Sequence, residues 1–234
     1  VTGDLQGPWL GRSPVLVVAD APGVSLEPWR ALLARSPLVV AADGGARLAL
    51  AAGRMPDLVV GDGDSLADEG WAASAAGIAA TAPFERHAVD KDETDLELAL
   101  LRAARLAPAG APIWILGAWG GRIDHSLANL CLLAHPALAG RELCLLDGAQ
   151  RVWLLEGPSE LRIEGRRDDT VSLLPLGGAA RVARTEGLRW RLDDSELAFG
   201  PARGVSNRMT GPTALVALAE GRLACIHIAQ EGEA

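Results

Sequence analysis

Lysine is nearly missing from this chain: of its 22 basic residues only Lys91 is a lysine, and the rest are arginine. A base-composition bias in the gene accounts for that and for the 27 glycines, so the bias itself carries no function. Cysteine is scarce as well. Cys131, Cys144 and Cys225 are odd in number, share no CxxC spacing and stand in apolar surroundings. They are expected to be buried free thiols in a reducing compartment. His87, His125, His135 and His227 show no zinc-type spacing. No apolar stretch reaches the ~20 residues of a membrane span. The amino-terminal VTGDLQGPWLGRSP lacks the basic start and apolar core of a signal peptide. A cytoplasmic location without a membrane partner is therefore expected. Acidic residues outnumber basic ones, 30 to 22, for a formal net charge of −8. That balance argues against non-specific nucleic-acid binding but leaves room for a nucleotide whose phosphates are neutralised by a metal. GxxxxGK[ST], GxGxxG and GxSxG are all missing. Asp62-Gly63-Asp64 begins like an EF-hand loop, but Leu66 and Ala67 stand where further ligands belong.

What is present is a sequence with enough apolar residues, 49%, for a sizeable core, and a length of 234 that suits one or two domains. Up to about residue 147, short apolar runs alternate with helical patterns. The runs Val15–Ala19, Leu38–Ala42, Leu58–Val60, Ile113–Leu116 and Leu143–Leu146 read as buried strands, with 78–81 a further candidate. Helices are expected over Leu26–Ala34 with Ser25 as N-cap, Ala46–Ala52, from Ser65 to about Ala76, and Leu96–Leu106. A last one is expected over Ile123–Ala134, its core face made by Ile123, Leu127, Leu130, Cys131 and Ala134. The expected fold class is α/β: a doubly wound, mostly parallel sheet with helices on both faces. Beyond Asp147, strands follow one another without helices, near 151–155, 160–163, 171–174, 180–183, 188–191, 214–218 and 223–228. This predicts a small all-β, sandwich-like domain over 148–234 after an α/β domain over 1–147.

Ligands of such parallel sheets bind outside the carboxyl ends of the strands. Asp43, Asp62, Asp64, Asp92, Asp95 and Asp124 all fall on that edge by this assignment. Two carboxylates separated only by Gly63 suit a hard cation such as Mg²⁺, which keeps sites open for water and phosphate oxygens. Asp92 and Asp95, one turn apart at a helix start, serve equally as ligands or as caps on the helix dipole. Asp43-Gly44-Gly45 and Gly117 to Gly120-Gly121 open helices with backbone N–H groups that could approach a phosphate, or are ordinary strand-to-helix turns. Arg122 could clamp phosphate oxygens bidentately or pair with a neighbouring acid. His125 and Asn129 share the next helical face.

AADGG at 41–45, PDLVVGDGDS at 56–65, DKDETDLELAL at 90–100 and GGRIDHSLANL at 120–130 occur in that order, followed by GLRW at 187–190 and VSN at 205–207. Together they resemble the thiamine pyrophosphokinase (thiamin diphosphokinase) family across nearly the whole chain. The resemblance implies diphosphate transfer from ATP to the hydroxyl of thiamine, giving thiamine diphosphate and AMP. It also implies Mg²⁺ and a homodimer whose active sites lie at the subunit interface. It assigns Asp62, Asp64 and Asp92 to the metal, and Asp43, Gly44, Gly45, Asp95, Gly120, Gly121, His125 and Asn129 to the nucleotide. Asp92, Asp124 and Arg122 fall nearest the chemistry, with Asp92 or Asp124 taking the hydroxyl proton. Trp190, Ser206 and Asn207 are assigned to thiamine, whose cationic thiazolium prefers an aromatic face. The family commonly has phenylalanine between the two aspartates where this chain has Gly63. A hydroxymethylpterin diphosphokinase on a similar scaffold, or a non-catalytic thiamine or nucleotide binder, are the alternative readings.

Overall fold

A computed structural model describes residues 13–64 and 82–230. The described chain divides at Asp147/Gly148 into two compact units.

In the first unit the apolar runs become the parallel strands β1 (Val15–Val18), β2 (Val39–Ala42), β3 (Leu58–Gly61), β5 (Ile113–Leu116) and β6 (Leu143–Asp147), and an edge strand that the apolar pattern does not mark, β4 (Phe84–Arg86), joins them. They lie in the order β6-β5-β1-β2-β3-β4, and every pairing among them is parallel. Val15, Leu16, Val17 and Val18 are all fully buried. Consecutive residues of a strand point to opposite faces, so both faces of the sheet are covered. The chain runs outward from β1 through β2, β3 and β4, then returns to β5 on the other side of β1. The topological switch point therefore lies between β1 and β5, where doubly wound sheets open a ligand crevice.

The helices are α1 (Arg30–Arg35), α2 (Gly45–Ala51), α3 (Asp95–Leu106) and α4 (Ile123–Leu132). A 3₁₀ turn, Glu27–Trp29, precedes α1 where the sequence suggests continuous helix. Ser25 Oγ accepts from the Glu27 N–H there. Helix α3 buries Leu96, Ala99, Leu100, Ala103 and Ala104, and burial of a leucine side chain such as Leu100 contributes ~2 kcal/mol. Its start differs from the expected one near Asp92. Thr94 is extended and its Oγ1 accepts from the Glu97 N–H at 3.2 Å, so T-x-x-E caps the helix and Asp92 falls in the bend before it. Helix α4 has the expected period but not the expected phase. Ile123 is 76% and Leu127 55% exposed, whereas Ser126, Asn129 and Leu133 are buried. The cause is polar anchoring of Ser126 and Asn129, described below. Cys131 is exposed as a result, and only Cys144 and Cys225 are buried. The helix expected from Ser65 and the strand at 78–81 fall outside the described residues.

The second unit is all β, and its strands pair antiparallel. Strands β7 (Gln150–Glu156), β8 (Ser159–Glu164), β9 (Thr170–Pro175), β10 (Ala180–Glu186), β11 (Ser195–Leu197), β12 (Asn207–Arg208), β13 (Thr213–Glu220) and β14 (Arg222–Ile228) make it up. One layer runs β12-β9-β14-β7 and the other β11-β10-β13-β8. Val182, Ile163, Leu173, Leu197 and Cys225 are buried in its core, as expected for a sandwich. The strand expected at 188–191 does not form: Leu188 makes a single bridge to Met209, and the chain leaves the ladder at Trp190. No helix among the described residues is long and apolar enough to cross a membrane.

Candidate active site

The carboxyl ends of β2 and β3 bring Asp43, Asp62 and Asp64 together, with one oxygen of each within 4.8 Å of the others. Backbone donors hold them. The Gly63 N–H donates to Asp43 Oδ1 at 3.1 Å and the Asp64 N–H to Asp62 Oδ1 at 3.0 Å. Asp43 itself has φ 39°, in the left-handed region, and is nearly buried. Three oxygen donors this close repel one another unless a cation lies between them, and they are the donor type that Mg²⁺ takes. Asp92 is exposed and is not a member of this group.

Gly63 has a structural reason. Its φ is +86°, and a Cβ there would lie 3.3 Å from Arg86 Nη1 and 3.5 Å from Phe84 Cζ. The Arg86 guanidinium stacks on the Phe84 ring at 5.0 Å and donates to the Asp62 carbonyl at 2.7 Å. An arginine–phenylalanine pair from β4 thus flanks the aspartate loop.

Lys91 is the functional candidate that sequence reading passed over. Its Nζ lies 3.3 Å from Asp62 Oδ2 and 3.1 Å from Asp95 Oδ1, and donates to the Ala88 carbonyl at 3.1 Å. Burial opposes its charge, but the Asp95 and Asp62 carboxylates outweigh that and raise its pKa. Asp62 is held below the usual carboxylate range, first by the Asp64 N–H and, against desolvation, also by Lys91. The only signal in the sequence was its position inside DKDETD, since a single lysine otherwise reads as composition.

A cleft of about 430 Å³ opens at the switch point. Asp20, Asp43, Gly44, Lys91, Glu93, Asp95, Gly120, Arg122, His125 and Asn129 are among its walls. Asp92 is not, and its neighbour Glu93 takes that place. Asp20, at the end of β1 and also missed in the sequence, pairs with Arg47 of α2 at 2.5 Å. Gly45 is demanded by packing, since a Cβ there would run into the Val18 carbonyl oxygen, whereas at Gly44 it would meet the Asp20 side chain.

The loop after β5 is fastened by α4. Ser126 Oγ accepts from the Gly120 N–H at 3.2 Å and donates to the Arg122 carbonyl at 3.1 Å. Asn129 Nδ2 donates to the Ala118 carbonyl at 2.7 Å. Gly121 lets this loop close on Pro22, whose ring a Cβ would approach to 2.7 Å. Arg122 forks onto Asp124 with contacts of 3.1 and 2.5 Å, both residues being exposed. The guanidinium holds the Asp124 carboxyl down at about 2.

In the second unit Trp190 is 54% exposed, with the Arg189 guanidinium over its ring at 5.1 Å. Asn207 is buried, and its side chain bonds the backbone of Trp190. Ser206 has φ 62°, and its N–H donates to Ser172 Oγ at 3.0 Å.

The family model described as "Thiamin pyrophosphokinase, catalytic domain" matches residues 29–145, and that described as "Thiamin pyrophosphokinase, vitamin B1 binding domain" matches residues 159–223. The chain is 31% identical over 162 residues to thiamine pyrophosphokinase 1 of rice (Oryza sativa subsp. japonica), covering 65% of this chain and 58% of the rice protein. It is 28% identical over 191 residues to thiamine pyrophosphokinase of Bacillus subtilis, covering 81% of this chain and 86% of that one. The crystal structure of thiamine pyrophosphokinase from Bacillus subtilis has the same fold, with a TM-score of 0.81, 24% identity, and coverage of 93% of this chain and 100% of that one.

Proposed function

The chain belongs to the thiamin pyrophosphokinase family, and from that premise we propose that it transfers the terminal diphosphate of ATP to thiamine, forming thiamine diphosphate and AMP. The observation that carries this reading is the convergence of Asp43, Asp62 and Asp64 beside a switch-point cleft, in a chain that also presents an exposed Trp190.

The thiamine hydroxyl oxygen forms a bond to the β-phosphorus while the bond from that phosphorus to the bridging oxygen of the α-phosphate breaks. AMP leaves with the electron pair, and the hydroxyl proton passes to a base. Asp43, Asp62 and Asp64 would hold Mg²⁺, which supplies charge neutralisation for the triphosphate. Lys91 keeps Asp62 and Asp95 in place and adds a positive charge to the cleft wall. The Gly117–Arg122 loop, fastened by Ser126 and Asn129, forms the opposite wall. Arg122 could exchange Asp124 for phosphate oxygens, since both are exposed and the pair is solvent-screened. The Asp124 carboxyl is held at about 2 chiefly by its pair with Arg122, so once Arg122 turns to the phosphates Asp124, set between the cleft residues Arg122 and His125, is the better candidate for the proton. Trp190 offers an aromatic face to the thiazolium, and Ser206, which precedes Asn207 in the chain, is a further candidate for thiamine.

A homodimer with the active sites at the subunit interface completes the reading. Free cysteines at 131, 144 and 225 fit a reducing compartment such as the cytoplasm. The test is AMP release from Mg-ATP with thiamine, and separately with a hydroxymethylpterin. AMP and thiamine diphosphate are expected with thiamine alone. Release only with the pterin, or tight thiamine binding without turnover, overturns the proposal. Sedimentation velocity tests the dimer.

A further inference from the structure

The segment 187–190 runs antiparallel to 207–210. The Thr210 N–H donates to the Gly187 carbonyl at 2.9 Å and the Arg189 N–H to the Arg208 carbonyl at 2.8 Å. Beyond Arg189 no backbone partner among the described residues takes the next rung. The Asn207 side chain takes it instead: the Trp190 N–H donates to Asn207 Oδ1 at 3.0 Å, and Asn207 Nδ2 donates to the Trp190 carbonyl at 2.6 Å. The Arg208 N–H also donates to Oδ1, at 2.8 Å. A flipped amide would set a donor against two donors, so hydrogen bonding fixes its orientation. Only a carboxamide offers a donor and an acceptor side by side, as a peptide group does. At 3% exposure Asn207 has little surface left for a ligand. Its own backbone is fixed by pairing with Val171 in β9.

We infer that Asn207 is a positioning residue: its amide replaces a missing peptide rung and so fixes the exposed Trp190, without touching substrate. The part of this concerning thiamine rests on the function proposed above. A large aromatic side chain half in solvent loses affinity for a stacked cation if its backbone wanders. Arg189 covers one face of the indole, so the bracket also determines which face stays open.

The test uses the full-length protein and the variants Asn207→Ala, Asn207→Asp, Trp190→Ala and the double variant N207A/W190A. Asn207→Ala is expected to raise the KM for thiamine about tenfold while the KM for ATP stays within about twofold. In the free protein, the Trp190 indole resonance, identified by its loss in W190A, should shift and broaden. In the W190A background, Asn207→Ala should add nothing to the thiamine KM. Asn207→Asp keeps the acceptor for both N–H groups but sets a second oxygen against the Trp190 carbonyl, so its thiamine KM should rise at least as far as that of Asn207→Ala. It carries the test if the alanine variant does not fold. An additive rise in the double variant would make Asn207 a direct substrate contact and overturn the inference. An unmoved indole resonance would overturn it too. If wild type releases no AMP with thiamine, the functional reading fails, and the indole resonance still decides the positioning role.

Discussion

Lys91 Nζ lies 3.3 Å from Asp62 Oδ2, so the chain's single lysine is spent on a carboxylate of the candidate metal group. Lys91→Met should leave Asp62 loosely held and remove a charge from the cleft. Turnover should fall about tenfold or more, and the Mg²⁺ concentration at half-activity should rise. Lys91→Arg should not rescue it, because a planar guanidinium cannot converge on Asp62, Asp95 and the Ala88 carbonyl as an ammonium does. Rescue by arginine would reduce Lys91 to a generic positive charge.

Asp64→Asn keeps the shape of the loop and removes one of the three charges. Turnover should drop by roughly tenfold or more with the melting temperature nearly unchanged. Full activity in this variant would remove Asp64 from the metal assignment.

Gly45→Ala tests packing rather than chemistry. Alanine gains ~1 kcal/mol of helix propensity over glycine. Its Cβ would nonetheless sit 2.0 Å from the Val18 carbonyl oxygen, backbone against backbone, and overpacking of this kind costs ~3 kcal/mol. A net loss of about 2 kcal/mol in urea unfolding follows. A neutral or stabilising result would mean that α2 can slide away from β1.

His227 predicts a pH dependence of stability. It is fully buried, with Nε2 2.9 Å from Asp169 and Nδ1 3.4 Å from Arg151. Arginine only donates, so Nδ1 accepts and Nε2 carries the proton. A second proton would face the guanidinium. Burial lowers the pKa, against the pull of Asp169. The unfolded chain takes up a proton near ~6.5 and the native chain only at lower pH. Stability from this group is therefore present above ~6.5 and is lost as pH falls below it. His227→Gln should flatten the urea midpoint between pH 7 and 5. An unchanged slope would place the acid sensitivity elsewhere.

The sheet was legible because strands such as Val15–Val18 are apolar at every position, which only a sheet covered on both faces requires. The carboxylates were legible because Asp43 and Asp62 follow such runs directly. The phase of α4 was not legible. Ile123 and Leu127 look like a core face, and nothing local says that Ser126 and Asn129 face inward to hold the loop at 117–122. Nor was the role of Lys91, whose partners come from the end of β3, the start of α3 and the carbonyl of residue 88. Trp190 falls inside the strand expected at 188–191. Its last rung is a side chain from seventeen residues further on, and a pattern of apolar and polar residues does not record such a substitution.

Asp43 and Asp62 each accept a backbone N–H, from Gly63 and Asp64, in the folded chain itself. Their freedom of rotation is surrendered during folding and not when an ion arrives. A cation entering this group meets oxygens already oriented, so its binding entropy should be governed by the water it sheds and little by ordering of the protein.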